Sequence, residues 1–331
     1  MVSTPVTSVV IVAHNEAAVL GRCLRGLLDQ AEPGEFEVVV VPNGCTDDTA
    51  GIAREFPGVR VLELAEPGKS AALNAGDRMV TGFPRIYLDA DIVLTTSAAR
   101  ALTTAVTGSG AATATATATG GGAGAGAAGP AGAAGVLAAA PRRILDTAGR
   151  PLPVRAYYAV NRRLPAFRNA LFGRGAVALS ASGRARFDRF PDQFADDLFL
   201  DSLFGPGEKR EVPTAATVVA TPLRTRDLLR RLTRLRAGNR ALRATGAARV
   251  RRSRPASWLL DVVLPRPWLL PAGLCYAALT VAAALAAQRA SARTNWGRDD
   301  STRKPDGATP EPGGTTPEPG TRPARRQGVA G

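Results

Sequence analysis

Short apolar runs alternate with helical patterns over residues 8–106 of the chain. The runs are rich in β-branched residues and predict four buried strands, at residues 8–13, 37–41, 59–64 and 85–88. Apolar residues recur at helical spacing from Val19 to Leu28, which predicts an amphipathic helix after the first strand. Strands that alternate with helices in this way predict an α/β fold with a doubly wound, mostly parallel sheet.

Two further helices complete the alternation in this part of the chain. Thr46 is a candidate N-cap for a helix that begins with Asp47 and Asp48, because acidic side chains are favourable at a helix N-terminus. The next helix is predicted over residues 69–79 and leads to the strand at 85–88.

The pattern changes after residue 106. Residues 107–135 consist mainly of Gly, Ala and Thr, and we expect a disordered insertion because no large side chain is available for burial. Beyond it we expect a helix-rich stretch at 155–172, a strand at 175–180 and a loop-rich section to about residue 222. An amphipathic helix follows, with three leucines on one face: Leu228, Leu232 and Leu235.

Positive charge is concentrated in one block. The chain carries a formal net charge of +14, and residues 224–254 contain twelve arginines against one acid, Asp227. Such a block suits nucleic acid or an anionic membrane surface. It contains no aromatic residue on which bases could stack, so we expect the membrane surface and not nucleic acid as its partner.

Residues 267–288 carry no charge and are long enough for a membrane span, although Pro271, Gly273 and many alanines make them only weakly hydrophobic. Two interpretations remain open: an apolar helix packed on the domain, or a helix that spans or lies on the membrane. Arginine is denser on the N-terminal side, and the N-terminus lacks a signal-peptide pattern. We therefore expect the main domain at the cytoplasmic face of the cell membrane, with at most one C-terminal span.

Two carboxylates, Asp89 and Asp91, follow the buried run at 85–88. Ligands of doubly wound sheets bind at the carboxyl ends of the strands, where His14 and Asn43 are also predicted to lie. Carboxylate oxygens suit a hard cation such as Mg²⁺ or Mn²⁺, and a diphosphate would be its natural companion. A solvated turn is the alternative for this short motif.

Five blocks of sequence make the comparison specific: VVIVAHNEAAVLGRCL, VVVVPNGCTDDT, EPGKSAALNAGD, YLDADIVL and ADDLFLD. In order and spacing they resemble family 2 glycosyltransferases, which are inverting enzymes with the GT-A fold and nucleotide-sugar donors. The resemblance covers about residues 6–245 without the low-complexity segment. It implies a GT-A sheet of the nucleotide-diphospho-sugar transferase type with a C-terminal helical extension.

The resemblance implies donor contacts from the first two blocks. His14 matches the residue that packs on the nucleotide base, and Ala13 and Glu16 lie in the same segment, although Glu16 could equally cap the following helix. Asn43 stands where many members have the second of two acids, and Pro42 replaces the first. This departure leaves the base of the nucleotide open.

The next two blocks imply contacts with the diphosphate and the cation. Lys69 lies at a predicted helix start, where an ammonium and backbone N–H groups favour phosphate; a solvated lysine is the alternative. Asn74 belongs to the same block. By resemblance, Asp89 faces the ribose and the metal, and Asp91 ligates the divalent cation, Mn²⁺ or Mg²⁺.

The last block implies the acceptor side of the site. The second acid of this block takes the proton from the acceptor in the family, which assigns the base to Asp197 and an acceptor contact to Asp196. Adjacent carboxylates also raise each other's pKa, which favours a base. A helix N-terminus rich in acid is the alternative for Asp196.

The region around Arg236 and Arg240 lacks the Gln and Trp of polymer-forming members, so we expect non-processive transfer.

Together the resemblance and the patterns divide the chain into five parts. They are a nucleotide-sugar-binding half (1–106), the insertion (107–135), an acceptor-side half (136–245), a basic segment with an apolar membrane-associated helix (246–290) and a disordered tail (291–331).

The implied function is metal-dependent, inverting transfer of a sugar to a hydroxyl acceptor. The acceptor would be a glycan or a lipid-linked molecule, and the pathway that of a cell-surface polysaccharide or glycolipid. A nucleotidyltransferase on a related fold is a weaker alternative, because AHNEAAVLG does not supply the glycine-rich loop that holds a triphosphate. A membrane-associated sugar-nucleotide-binding protein without catalysis is the other alternative.

Overall fold

A computed structural model describes residues 6–114, 135–192, 196–244, 254 and 256–289. Within these ranges one sheet contains seven strands: β1 (Thr7–Ala13), β2 (Phe36–Pro42), β3 (Arg60–Val61), β4 (Arg85–Asp89), β5 (Ala138–Asp146), β6 (Ala176–Leu179) and β7 (Lys209–Ala220). Their order across the sheet is β3-β2-β1-β4-β6-β5-β7. Only β6 pairs antiparallel with its neighbours among these strands, so the predicted α/β class with a mostly parallel sheet is confirmed.

Helices connect and cover the strands. In chain order they are α1 (Ala17–Leu28), α2 (Thr49–Arg54), α3 (Lys69–Met79), α4 (Thr96–Ala114), α5 (Leu152–Asn161), α6 (Ala181–Arg184), α7 (Asp196–Ser202), α8 (Thr225–Ala244) and α9 (Leu270–Arg289). Short 3₁₀ turns occur at Pro165–Phe167 and Pro267–Leu269, and a π-helical turn at Trp258–Val263.

The sheet has a hydrophobic core on each face because side chains alternate along a strand. Val9 and Ile11 of β1 face α1, where Leu20 and Leu24 are fully buried. Val10 and Val12 face the opposite way and belong to the cluster that contains Leu73, Phe190 and Phe199. Helices on both faces leave the carboxyl ends of the parallel strands as the open edge of the sheet.

A buried ion cluster ties α3, β4 and α6 together. Asp77 is 7% exposed and accepts hydrogen bonds from Arg85 Nη1 at 2.5 Å, Tyr87 Oη at 2.5 Å and Arg184 Nη2 at 2.6 Å. Burial raises the pKa of Asp77, but the hydrogen bonds from Arg184, Tyr87 and Arg85 outweigh it and hold the pKa below its usual value. The cluster fixes the helix that follows Gly68 against the strand that ends at Asp89.

Several predicted elements differ from the structure. The section predicted as loop-rich contains β7, a strand of 12 residues that pairs with β5. Its buried side chains are Val212, Ala215, Thr217 and Val219, and Pro213 inside this run argues against a strand in the sequence pattern. The strand predicted at 59–64 is reduced to β3, although Leu64 also forms a bridge with Asn43.

Two boundaries also differ. Thr46 is not an N-cap, because α2 begins at Thr49 with Asp48 in the cap position. Helix α4 continues to Ala114, into the segment 107–135 for which we expected no order. Residues 115–134 of that segment, and the tail predicted at 291–331, lie outside the described residues.

The C-terminal helix α9 packs along the domain by one face. Its Tyr276 stacks on Tyr157 of α5 with ring centroids 4.9 Å apart, and Ala283 is buried with Leu228 and Leu232 of α8. The opposite face is exposed and apolar, with Leu274 at 60% and Leu285 at 50% exposure. Leu235 of α8 is also 46% exposed, in contrast to the apolar face predicted for it.

By length and composition, one helix in the described ranges could cross a membrane. It runs over Pro267–Gln288 with a mean hydropathy of 1.9, and 17% of it is buried. One face of this helix packs on the domain, as the first interpretation of the sequence expects. The other face is apolar and exposed, as a helix in contact with a membrane requires.

Candidate functional site

The carboxyl ends of β1 and β4 open into a groove of about 2270 Å³ that also receives α7 and α8. Charged residues from blocks far apart in sequence line it: Glu16, Lys69, Asp89, Asp91, Asp196 and Asp197. The location follows the rule for doubly wound sheets, in which loops after neighbouring parallel strands converge at one edge.

Asp89 is the last residue of β4, and Asp91 lies in the turn that follows it. The Asp89 N–H donates to the Gly175 carbonyl at 2.9 Å, and the Ile92 N–H donates back to the Asp89 carbonyl at 3.1 Å. Gly175 has φ +73°, and a Cβ there would lie 2.2 Å from Ile92 Cγ1, so glycine is required at this crossing. The turn therefore holds the Asp89 carboxylate, and the exposed Asp91, in the wall of the groove.

Lys69, the first residue of α3, joins the two acidic motifs. Its Nζ donates to Asp89 Oδ1 at 2.8 Å and lies 3.1 Å from Asp196 Oδ2. Burial lowers the pKa of this ammonium, but the charges of Asp196 and Asp89 overcome the burial and hold the pKa well above its usual value. Lys69 is thus a permanent cation between the end of β4 and the start of α7.

Asp197 is the second carboxylate of the pair at the start of α7 and is half-buried. Its Oδ2 accepts from the Gly173 N–H at 2.8 Å and its Oδ1 from the Leu198 N–H at 2.7 Å. Burial and the charge of Asp196 raise its pKa to about 6, against the opposing effect of Lys69. A carboxyl group with this pKa is suited to accept a proton near neutral pH.

His14 and Glu16 follow β1 in the wall of the groove. His14 Nδ1 lies 2.6 Å from the Asn43 carbonyl oxygen, which orients the imidazole ring. Glu16 occupies the N-cap position of α1, and its carbonyl accepts from Val19 and Leu20, but its side chain makes no capping hydrogen bond. Both side chains therefore line the groove, and their contact with a donor stays a prediction.

Three residues predicted to contact the donor do not line the groove. Asn43 is fully buried, and its amide donates to the Ala13 carbonyl at 2.8 Å and accepts from the Gly68 N–H at 3.0 Å. Ala13 is buried in β1, with its carbonyl taken by these bonds. Asn74 makes both of its hydrogen bonds to the backbone of Phe190, at 2.8 and 3.0 Å. These side chains position the walls of the groove, because their polar atoms are satisfied by backbone groups.

A cation in this site would be held by few protein atoms. Within the described ranges, no group of three or more His, Cys, Asp or Glu side chains converges as a metal site would require. Asp89 and Asp91 supply carboxylates on one wall, which fits a Mn²⁺ or Mg²⁺ ion that takes its other ligands from phosphate oxygens and water.

The far half of the groove contains residues that the sequence did not suggest as site residues. Arg143 of β5 and Arg231 of α8 line it together with Tyr157, Tyr158 and Tyr276. They lie far apart in sequence and match no motif, so only the fold brings them together. The adjacent tyrosines of α5, in a chain with 5% aromatic residues, were the one available signal.

Residues 8–131 match the family model of glycosyl transferase family 2. Glycosyltransferase AglE of Haloferax volcanii is 37% identical over 98 residues, which cover 28% of this chain and 32% of that protein. The PGL/p-HBAD biosynthesis glycosyltransferase of Mycobacterium tuberculosis is 34% identical over 111 residues, which cover 32% of this chain and 43% of that protein. The matched region thus spans less than half the length of either relative.

A solved structure shares the fold over most of the chain. It is the mannosyltransferase PcManGT of Pyrobaculum calidifontis, in complex with GDP-Man and Mn²⁺, with 22% identity and a TM-score of 0.53. The likeness covers 87% of this chain and 80% of that one, so it includes elements beyond the matched N-terminal half.

Proposed function

We propose that the chain is a family 2 glycosyltransferase, whose family model residues 8–131 match, and that it transfers a sugar from a nucleoside diphosphate sugar to a hydroxyl acceptor, with inversion and without processive elongation. The observation that carries the proposal is the convergence of three separate blocks on one ammonium. Lys69 Nζ lies 2.8 Å from Asp89 and 3.1 Å from Asp196. A glycosyl transfer site needs this proximity, since the donor diphosphate and the acceptor hydroxyl must meet at one carbon.

On the donor side, Asp89 and Asp91 would hold the divalent cation, and Lys69 would bind the diphosphate. The cation, when bound, supplies positive charge that stabilises the leaving nucleoside diphosphate. His14 lies at the end of β1, within reach of the nucleotide, and is proposed to pack on its base. Glu16 would contact the nucleotide from the same segment.

On the acceptor side, Asp197 would be the base. The acceptor oxygen attacks the anomeric carbon of the sugar as its proton passes to Asp197, and the bond from that carbon to the diphosphate oxygen breaks. Attack from the face opposite the leaving group inverts the anomeric centre. Asp196 is 3.1 Å from the Lys69 ammonium and would contact the acceptor.

The exposed face of α9 supports a place on the membrane surface. Leu274, Val281 and Leu285 repeat at helical spacing and are each at least half exposed, whereas Tyr276 and Ala283 pack on the domain. A helix held along the domain in this way would lie in the membrane interface rather than cross it. The arginines of α8 would add attraction to anionic lipids of the cytoplasmic leaflet.

The experiment is a binding screen of UDP-, GDP- and TDP-sugars, with and without Mn²⁺, followed by assay of nucleoside diphosphate release. We expect one donor to bind in a Mn²⁺-dependent way and to be turned over. The Asp91→Asn variant should lose the Mn²⁺ dependence of binding. A protein that binds a donor but never releases the diphosphate would instead be a sugar-nucleotide-binding protein, and unchanged Mn²⁺-dependent binding in Asp91→Asn would contradict the assigned cation site.

A further inference from the structure

The half of the groove beyond Asp197 is lined by arginines. Five of them come from β5 and α8: Arg143, Arg231, Arg234, Arg236 and Arg240. Two acids of the described residues also line the groove outside the donor half: Asp261, which accepts a hydrogen bond from Ser257 at 2.5 Å, and Asp201, which is paired with Lys209 at 2.6 Å. The half of the groove around Lys69, Asp89 and Asp91 is called the donor half. Its wall has the opposite charge, because acidic side chains outnumber basic ones there.

Arg143 is held rigidly in this wall without a carboxylate partner among the described residues. Its Nη2 donates to Asn161 Oδ1 at 3.1 Å, and its guanidinium lies over the Phe167 ring at 4.1 Å from the centroid. Asn161 is 7% exposed, so the amide that orients the guanidinium is itself fixed. One face and one edge of the guanidinium are thus engaged with neutral groups.

Arg143 is half-buried, and the two fully buried arginines of the described residues, Arg85 and Arg174, have acids beside them. Arg85 and Arg184 share Asp77, and Arg174 lies 2.6 Å from Glu211. Against this background Arg143 is unusual: burial, followed by the charges of Arg174 and Arg231, lowers its pKa to about 10. A positive charge kept in a low-dielectric wall beside other positive charges costs stability unless an anion occupies the site.

Arg231 supplies a second positive charge on the same side. It lies one turn after Leu228 and directly before Leu232, the two leucines that anchor α8 in the core. Its Nη1 approaches the Ala220 carbonyl at 3.4 Å, a long hydrogen bond that leaves most of its donors unused, and no carboxylate of the described residues pairs with it.

The arginine site adjoins the proposed base through Gly173. This residue donates its N–H to Asp197 Oδ2, and a Cβ placed on it would lie 3.5 Å from Arg143 Nη1. Arg143 and Asp197 therefore lie on two sides of one glycine. An acceptor with an anionic group at Arg143 would extend along the groove towards Asp197.

We propose that Arg143 and Arg231 form a subsite for a phosphate group of the acceptor, placed so that a hydroxyl of the same molecule reaches Asp197. The inference rests on the proposed function, because it assigns the chemical class of the acceptor. Paired guanidinium groups are well suited to phosphate oxygens. The adjoining wall of Tyr157, Tyr276 and the inner face of α9 suits the apolar part of an amphiphile.

The test measures binding of octyl phosphate, inorganic phosphate and uncharged octyl glucoside to the full chain by calorimetry. We expect the wild type to bind phosphate compounds, and Arg143→Gln and Arg231→Gln each to weaken this binding about tenfold or more. Arg230→Gln is the matched control, since Arg230 is the exposed neighbour of Arg231 on α8 and does not line the groove. Arg143→Lys, which keeps the charge, should retain part of the affinity.

The arms separate the sources of the phosphate. Tighter binding of octyl phosphate than of inorganic phosphate supports a lipid-linked acceptor, and equal binding supports a soluble phosphorylated one. Absence of phosphate binding in the wild type, or an equal loss in Arg230→Gln, would overturn the subsite. Donor binding and diphosphate release are measured on the same variants. If phosphate binding depends on the two arginines but no donor is turned over, only the proposed function is refuted. If donor is turned over but phosphate binding is the same in both arginine variants as in the wild type, only the subsite is refuted.

Discussion

The two halves of the groove handle charge in opposite ways. In the donor half, Lys69 lies between two carboxylates, Asp89 and Asp196, and behind its wall the single carboxylate of Asp77 is shared by Arg85 and Arg184. In the far half, Arg143 has only neutral neighbours within hydrogen-bonding distance among the described residues. In the donor half a ligand would therefore bind among charges that already contact one another, whereas in the far half Arg143 is a half-buried charge that is available to an anionic ligand.

The largest expected effect on the free energy of unfolding comes from removal of the carboxylate that Arg85 and Arg184 share. Asp77→Asn would leave Arg85 and Arg184 as buried charges without a carboxylate, and we expect a loss of about 3–5 kcal/mol in the free energy of unfolding. Arg143→Gln removes a charge that has no carboxylate partner, so it should leave the free energy of unfolding unchanged or slightly raised. Chemical denaturation measures both, and equal destabilisation by the two variants would remove the distinction between the halves.

The pH dependence of turnover tests the raised pKa of Asp197. The base must be ionised, and its pKa is raised to about 6, so the protonated, inactive form dominates below that pH. We expect kcat/KM to fall about tenfold per pH unit below pH 6 and to level off above it. An acid limb that remained near pH 4 would indicate a carboxylate in an ordinary environment.

Substitution of Lys69 gives a second test of the pH dependence of turnover. Lys69 lowers the pKa of Asp197, so in Lys69→Met the acid limb should move to higher pH and donor affinity should fall. Lys209→Met is a suitable control, because Lys209 also forms an ion pair with an acid of α7, Asp201, at 2.6 Å. If both variants shift the profile equally, the effect comes from α7 in general and not from the Lys69 bridge.

The smallest expected effect concerns the outer face of α9. Leu274→Gln and Leu285→Gln should each weaken binding to vesicles that contain anionic lipid by about tenfold, since each removes one leucine from the apolar face. Met79→Gln, at the end of α3, changes another exposed apolar side chain and should leave vesicle binding unaltered. Flotation of the protein with vesicles gives the comparison, and unaffected binding in both leucine variants would rule out α9 as the contact.

The positions of the charged residues in the donor half follow from the sequence, whereas their roles stay predictions. Asp89 ends a strand and Lys69 begins a helix, and sheet topology brings such positions together. The direction of a side chain is harder to predict than its position along the chain. Asn43 and Asn74 lie close to the groove, but their side-chain amides bind backbone groups. No local sequence pattern distinguishes an amide that binds the backbone from one that binds a ligand.

The far half is poorly predicted because its residues carry no local signal. Arg143 lies in a strand and Arg231 in an arginine-rich helix, where neither differs from the arginines around it. What distinguishes these two arginines is that no carboxylate of the described residues pairs with them, and only the folded structure shows this. Strand β7, which pairs with β5, is not predicted because Pro213 interrupts its apolar pattern.

The central claim is that one cluster around Lys69 binds the donor and that Asp197 performs the proton transfer beside it. The most direct test measures donor affinity and nucleoside diphosphate release on the same preparations of wild type, Asp197→Asn and the exposed control Asp188→Asn. We predict that Asp197→Asn binds the donor as the wild type does but releases diphosphate about 10²–10⁴ times more slowly, with Asp188→Asn unaffected. Release at the wild-type rate by Asp197→Asn would contradict the assignment of the base and, with it, the proposed reading of the groove.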